Sequence, residues 1–174
     1  MIRLAMRALA GAVIAAALVP ALATSTPTPV IGVPSSAQYG TLEIPMNLAV
    51  AMGLSCNLTD TGLTCYQTEA EALDALVPTA GLTVAASCTP AMSLYDGTSF
   101  TGANLNLTVQ SVWVNLSGFA FSNRTSSWRT GCAGGYLADG AGGAGTRIGM
   151  AAGGQQSSLG TFNNLASSAL RCPC

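Results

Sequence analysis

The chain has 174 residues, with six arginines, no lysine, no histidine and seven acidic residues, for a formal net charge of −1. Charged residues make up only 7% of it, so there is no basic footprint for nucleic acid or for an anionic membrane surface. The acids (Glu43, Asp60, Glu69, Glu71, Asp74, Asp96, Asp139) are scattered. Without His or Lys beside them the tuned pairs of acid–base catalysis are missing, and no enzyme is expected.

Residues 1–23 read as a secretory signal peptide. Arg3 and Arg7 precede an apolar run through Val19, and Pro20 leads into Ala21-Leu22-Ala23, with cleavage expected after Ala23. The run is too short for a membrane span, which takes roughly 20 apolar residues. A secreted, extracellular protein is expected, with no membrane association after cleavage. Losing Arg3 and Arg7 leaves four arginines against seven acids, a net charge of −3.

Residues 24–36 form a Pro/Ser/Thr linker. Residues 37–86 make an N-terminal helix-and-hairpin segment, which either packs on the C-terminal half of the chain or serves as a pro-region. Asp60-Thr61-Gly62 is turn chemistry between Cys56 and Cys65, so a hairpin closed by a local disulfide is expected. Thr68-Glu69-Ala70-Glu71 is a capping box that opens a helix, and Pro78 ends it. A short strand is expected over 81–84.

Residues 87–174 carry an internal repeat at a constant offset of 41. Tyr95 lies over Tyr136, Gly102 over Gly143, and the stretch 121–127 over 162–168. A period of this size is one supersecondary unit used twice, here about 87–130 and 131–174. Short strands are expected over 92–95, 103–109, 112–114 and 126–129, then over 135–137, 146–150 and 167–171. Trp113 and Trp128 fall among these strands and read as core or core-flanking residues. The six cysteines (Cys56, Cys65, Cys88, Cys132, Cys172, Cys174) all come after the signal and read as three disulfides. Only the Cys56–Cys65 pairing is assignable from spacing. Zinc is disfavoured, because no histidine exists and Cys172-Pro173-Cys174 has the wrong spacing.

The stretch Tyr95-Asp96-Gly97-Thr98-Ser99-Phe100-Thr101-Gly102 resembles the βγ-crystallin Greek-key motif, in which an aromatic, a second aromatic and a glycine recur at fixed spacing. The serine that the motif requires later is Ser127 or its neighbour Ser126. The second copy keeps Tyr136, Gly143 and Ser168 but has Ala141 in place of the second aromatic. The resemblance implies an all-β, double Greek-key sandwich over about half of the chain, beside the small N-terminal segment. The wording of residues 94–128 is similar to secreted bacterial crystallin-like proteins grouped with microbial metalloproteinase inhibitors. It implies a peptidase inhibitor whose partner is an extracellular protease.

The same resemblance implies calcium. Its box of two Asn/Asp, two free positions, Ser/Thr and Ser is complete in Asn163-Asn164-Leu165-Ala166-Ser167-Ser168. Ser122-Asn123-Arg124-Thr125-Ser126-Ser127 departs from it at the first position. By analogy the carbonyls of Arg124 and Leu165 and the hydroxyls of Ser126 and Ser167 face the ions. Hard neutral oxygens suit calcium, and few carboxylates mean weak sites, on the order of 10⁻⁴–10⁻³ M. A calcium-binding structural or cell-envelope module with no protease partner is the alternative function, and in a metal-free domain the same boxes serve as side-chain-to-backbone turns.

Overall fold

A computed structural model describes residues 36–77 and 88–173 together with the backbone of 30–31. The signal peptide, most of the linker, the strand expected over 81–84 and Cys174 lie outside the described residues.

The repeat region contains eight strands: β6 (Met92–Tyr95), β7 (Asn104–Leu107), β8 (Trp113–Asn115), β9 (Ser127–Thr130), β10 (Gly135–Ala138), β11 (Arg147–Met150), β12 (Gln155–Gln156) and β13 (Ser168–Arg171). They form two packed sheets. In one, β12, β9, β6 and β7 lie side by side; in the other, β8, β13, β10 and β11. Each group of four consecutive strands thus keeps three in one sheet and sends its third to the other. Two Greek keys that exchange their third strands in this way make a double Greek-key sandwich, as the resemblance implies.

Alternation explains the packing. On β6, β7 and β9, the residues Leu94, Leu105 and Trp128 sit opposite one another across the sheet. Together with Val114, Leu137, Met150 and Ala169 from the other sheet they form one buried core. Each large aliphatic side chain buried there contributes about 1.5–3 kcal/mol. Phe121 and Phe162, the aromatics that open the two boxes, are buried in the same cluster.

The N-terminal segment extends one of these sheets. Its elements are β1 (Val30–Ile31), β2 (Ser36–Tyr39), β3 (Leu42–Pro45), α1 (Met46–Ala51), β4 (Ser55–Thr59), β5 (Gly62–Tyr66) and α2 (Glu69–Asp74). Strand β4 pairs in parallel with β7, Cys56 opposite Leu105, and the sheet continues through β5 and β2 to β3. On β4 and β7 the other face is polar yet buried, with Ser55 opposite Asn104 and Asn57, which reaches α2, opposite Asn106. Asn57 donates to the Ala72 carbonyl at 2.6 Å and accepts from Asn106 at 2.9 Å. Helix α2 has the expected capping box, with Thr68 accepting from the Glu71 N–H. It ends at Asp74, ahead of Pro78. Helix α1 carries no comparable cap, since Pro45 precedes it, and it was not expected from the sequence.

Two disulfides close the described structure, Cys56–Cys65 across the β4–β5 hairpin and Cys88–Cys132 across the first key. Cys172 has no disulfide partner among the described residues, and Cys174 lies outside them.

Candidate functional site

The two boxes lie where the chain turns from a single helical turn into the last strand of its key. Asn123 and Asn164 each take a left-handed conformation, with φ of 57° and 58°. Asparagine tolerates that region better than other residues with a side chain, which is the local reason for it at the second box position. The last serine of each box then pins the folded first hairpin of its own key. Ser127 Oγ donates to the Gly97 carbonyl at 2.6 Å and accepts from the Phe100 N–H at 3.0 Å. Ser168 Oγ does the same with the Gly140 carbonyl at 2.6 Å and the Gly143 N–H at 2.9 Å.

These bonds correct the register expected for the second key. Gly140 is the counterpart of Gly97, and Gly143 the counterpart of Phe100, an offset of 43 rather than 41. The backbone agrees: Asp96 donates to Ala103 and Gly97 to Thr101, as Asp139 does to Thr146 and Gly140 to Ala144. The glycine matching Gly102 is therefore Gly145, with φ of +76° against +80°. The residue matching the buried Tyr95 is Ala138, while Tyr136 is exposed on β10. Only the boxes keep the offset of 41, because the second key is two residues shorter between its hairpin and its box. Gly143 has a positive φ of +82° and lies against the Trp113 indole. The indole of Trp113, from the first key, thus covers the hairpin that has lost both motif aromatics.

The first key keeps its aromatic corner. The Tyr95 and Phe100 rings meet edge to face at 5.7 Å, and the Arg129 guanidinium lies 3.9 Å from the Phe100 ring centre. Tyr95 donates its hydroxyl to Glu69 at the start of α2. Burial, then the neighbouring Glu69 carboxylate, push the Tyr95 hydroxyl up to about 12. Helix α2 is thereby tied to the corner of the first key.

The boxes interlock. The Asn123 N–H donates to the Ala166 carbonyl at 2.8 Å, and the Asn164 N–H to the Thr125 carbonyl at 3.0 Å. Side chains cross as well: Ser126 Oγ donates to Asn164 Oδ1 at 3.1 Å, and Ser167 Oγ to Asn123 Oδ1 at 3.2 Å. Ser126 Oγ also lies 3.3 Å from the Arg124 carbonyl. All seven candidate residues named from the sequence therefore fall on two segments brought together by reciprocal hydrogen bonds, which form two neutral-oxygen clusters. Asn163, at the first box position, has a buried Oδ1 with no hydrogen-bond donor among the described residues. Such an orphaned acceptor costs about 1–3 kcal/mol unless a cation or water meets it. The donor set, neutral and hard, suits calcium rather than a softer metal.

The two clusters differ in charge. Beside the first, Asp96, Asn123, Arg124 and Asn164 line a depression of about 210 Å³. There Arg124 Nη2 pairs with Asp96 Oδ2 at 2.8 Å. In the second key Leu165 holds the place of Arg124, half exposed. Asp139, the counterpart of Asp96, accepts from the Thr146 N–H at 2.7 Å and forms no ion pair among the described residues. Among the described residues, no group of three or more Cys, Asp or Glu side chains converges as a metal site. No local pattern in the sequence announces the Arg124–Asp96 pair, which only the folded hairpin brings together.

No family model matches the chain, and no curated protein does. Solved structures similar to it are βγ-crystallin domains. The N-terminal domain of Protein S is 21% identical with a TM-score of 0.42, over 47% of this chain and 93% of that one. A βγ-crystallin from Ciona intestinalis is 20% identical, TM-score 0.42, over 47% and 98%. A βγ-crystallin domain from Flavobacterium johnsoniae is 21% identical, TM-score 0.40, over 46% and 91%.

Proposed function

We propose that this βγ-crystallin-like chain is an extracellular structural module that calcium stabilises by joining its two Greek keys. The observation that carries this reading is the crossing of the boxes. Each cluster mixes oxygens from both keys, so an ion held there ties one key to the other and binds the folded state alone. On the second-key side the Leu165 carbonyl, Ser167 Oγ and Asn123 Oδ1 would hold it. Calcium, when bound, supplies a hard divalent centre for these neutral oxygens. The chain's own part is to fix them in advance through the two left-handed asparagines and the reciprocal backbone bonds. With so little ligand charge the affinity falls on the order of 10⁻⁴–10⁻³ M.

Calorimetric titration of the oxidised protein with calcium chloride tests the reading. Binding in that range, lost in Ser167→Ala, supports it. Absence of binding up to about 10 mM, ten times the weak end of that range, leaves the boxes as turn chemistry.

The resemblance's other implication, inhibition of an extracellular metalloprotease, rests on the sequence around residues 94–128. The disulfides and serine-pinned hairpins favour it only in that rigid loops lose little entropy on binding. Residual activity of a secreted zinc endopeptidase, with and without the oxidised protein, tests it directly. Unchanged activity at a large excess of this protein counts against it.

A further inference from the structure

We infer that Arg124 is the resident cation of the first cluster: its guanidinium occupies the charge that an ion would otherwise bring, so the module takes calcium on one side only. This rests on the calcium reading of the boxes. The depression beside the first cluster is walled by acceptors. Asp96 supplies a carboxylate and Asn164 an amide oxygen, with the Arg124 carbonyl close by. The cationic group among them is Arg124 itself, folded back onto Asp96 at 2.8 Å. A divalent ion entering here must take Asp96 from the guanidinium and then share the depression with a like charge. The second-key side presents neither obstacle. Leu165 replaces Arg124, and Asp139 has no arginine on it among the described residues.

The consequence is an asymmetric device. The first key is closed by its own side chain whatever the calcium level, and the second responds to the ion. Arg124 is half exposed, and an exposed ion pair contributes little to stability, so removing it leaves the fold in place while emptying the depression of its cation.

Arg124→Leu copies the residue that the second key carries at the same position, and calorimetric titration with calcium chloride reads the number of sites. One site in the parent and two in Arg124→Leu is the expected result. Arg124→Lys, which keeps the charge, should stay at one, and Arg124→Leu with Asp96→Asn should return to one. Melting in excess chelator confirms that each variant is folded. No site in the parent but one in Arg124→Leu would sustain the role of Arg124 while removing the second-key site. An unchanged count in Arg124→Leu, whether none, one or two, overturns the inference; a count of one leaves the calcium reading standing, and a count of none removes both.

Discussion

The packing of Trp113 on the second-key hairpin makes Gly143→Ala a sharp perturbation. A Cβ added at Gly143 lies 2.7 Å from Trp113 Cδ2 and closer still to Cε2 and Cζ2. The indole has little room to retreat, being 4% exposed with the Arg147 guanidinium 5.1 Å from its ring centre. Two costs add. A side chain at φ of +82° costs about 1–2 kcal/mol, and overpacking a filled contact costs about 1–3 kcal/mol. Gly153 provides the control, because its φ is +67° but a Cβ there meets nothing within 4 Å. Gly153→Ala should therefore lose only the conformational part. Denaturant unfolding with disulfides intact, followed by tryptophan fluorescence, should place Gly143→Ala about 1–3 kcal/mol below Gly153→Ala. If the two variants unfold together, Trp113 does not cover the hairpin and the register of the second key is wrong.

Glu69→Gln leaves a neutral acceptor for the Tyr95 hydroxyl and weakens the tie between α2 and the first key. A loss of about 1 kcal/mol is expected, mostly from that bond, since the Glu69–Arg129 pair is 3.8 Å apart and partly exposed. Chemical melts of the variant and the parent read it. The raised Tyr95 hydroxyl favours the protonated form in the folded state. Its stabilisation is complete below pH 10 and lost as pH rises through about 12. Unfolding scans over that window should show a loss of stability that Tyr95→Phe lacks. The disulfides should differ by loop length, with separations of 44 for Cys88–Cys132 and 9 for Cys56–Cys65. Replacing each pair by serines should cost about 4 and about 2.5 kcal/mol respectively by chain entropy, read from chemical melts. Equal losses would show that loop length does not set the difference.

The parts legible in the sequence are those with local chemistry. The Asp60-Thr61-Gly62 turn places Cys56 opposite Cys65, and Thr68 and Glu71 form the capping box they spell. The boxes were readable because Asn-x-x-Ser patterns arise from backbone demands within a few residues. The second-key register was not, because the hairpin offers Gly140, Gly142, Gly143 and Gly145 with nearly equal claims. The hydrogen bonds of Ser168, far along the chain, and the backbone bonds of the folded hairpin decide among them. The joining of β4 to β7 was hidden for a different reason. Asn57, Asn104 and Asn106 alternate with apolar residues as in a strand with one wet face, whereas α2 buries that face. Arg124 and Asp96 are 28 positions apart, and nothing local couples them.

Melting of the oxidised protein by calorimetry in about 5 mM calcium and then in excess chelator tests the central claim most directly. For a dissociation constant in the range expected for such sites, linkage gives about 1–2 kcal/mol of stabilisation. The account predicts a midpoint raised by several degrees in calcium, unchanged by magnesium at the same concentration, and abolished in Ser167→Ala. A midpoint that is the same in calcium and in chelator would contradict it.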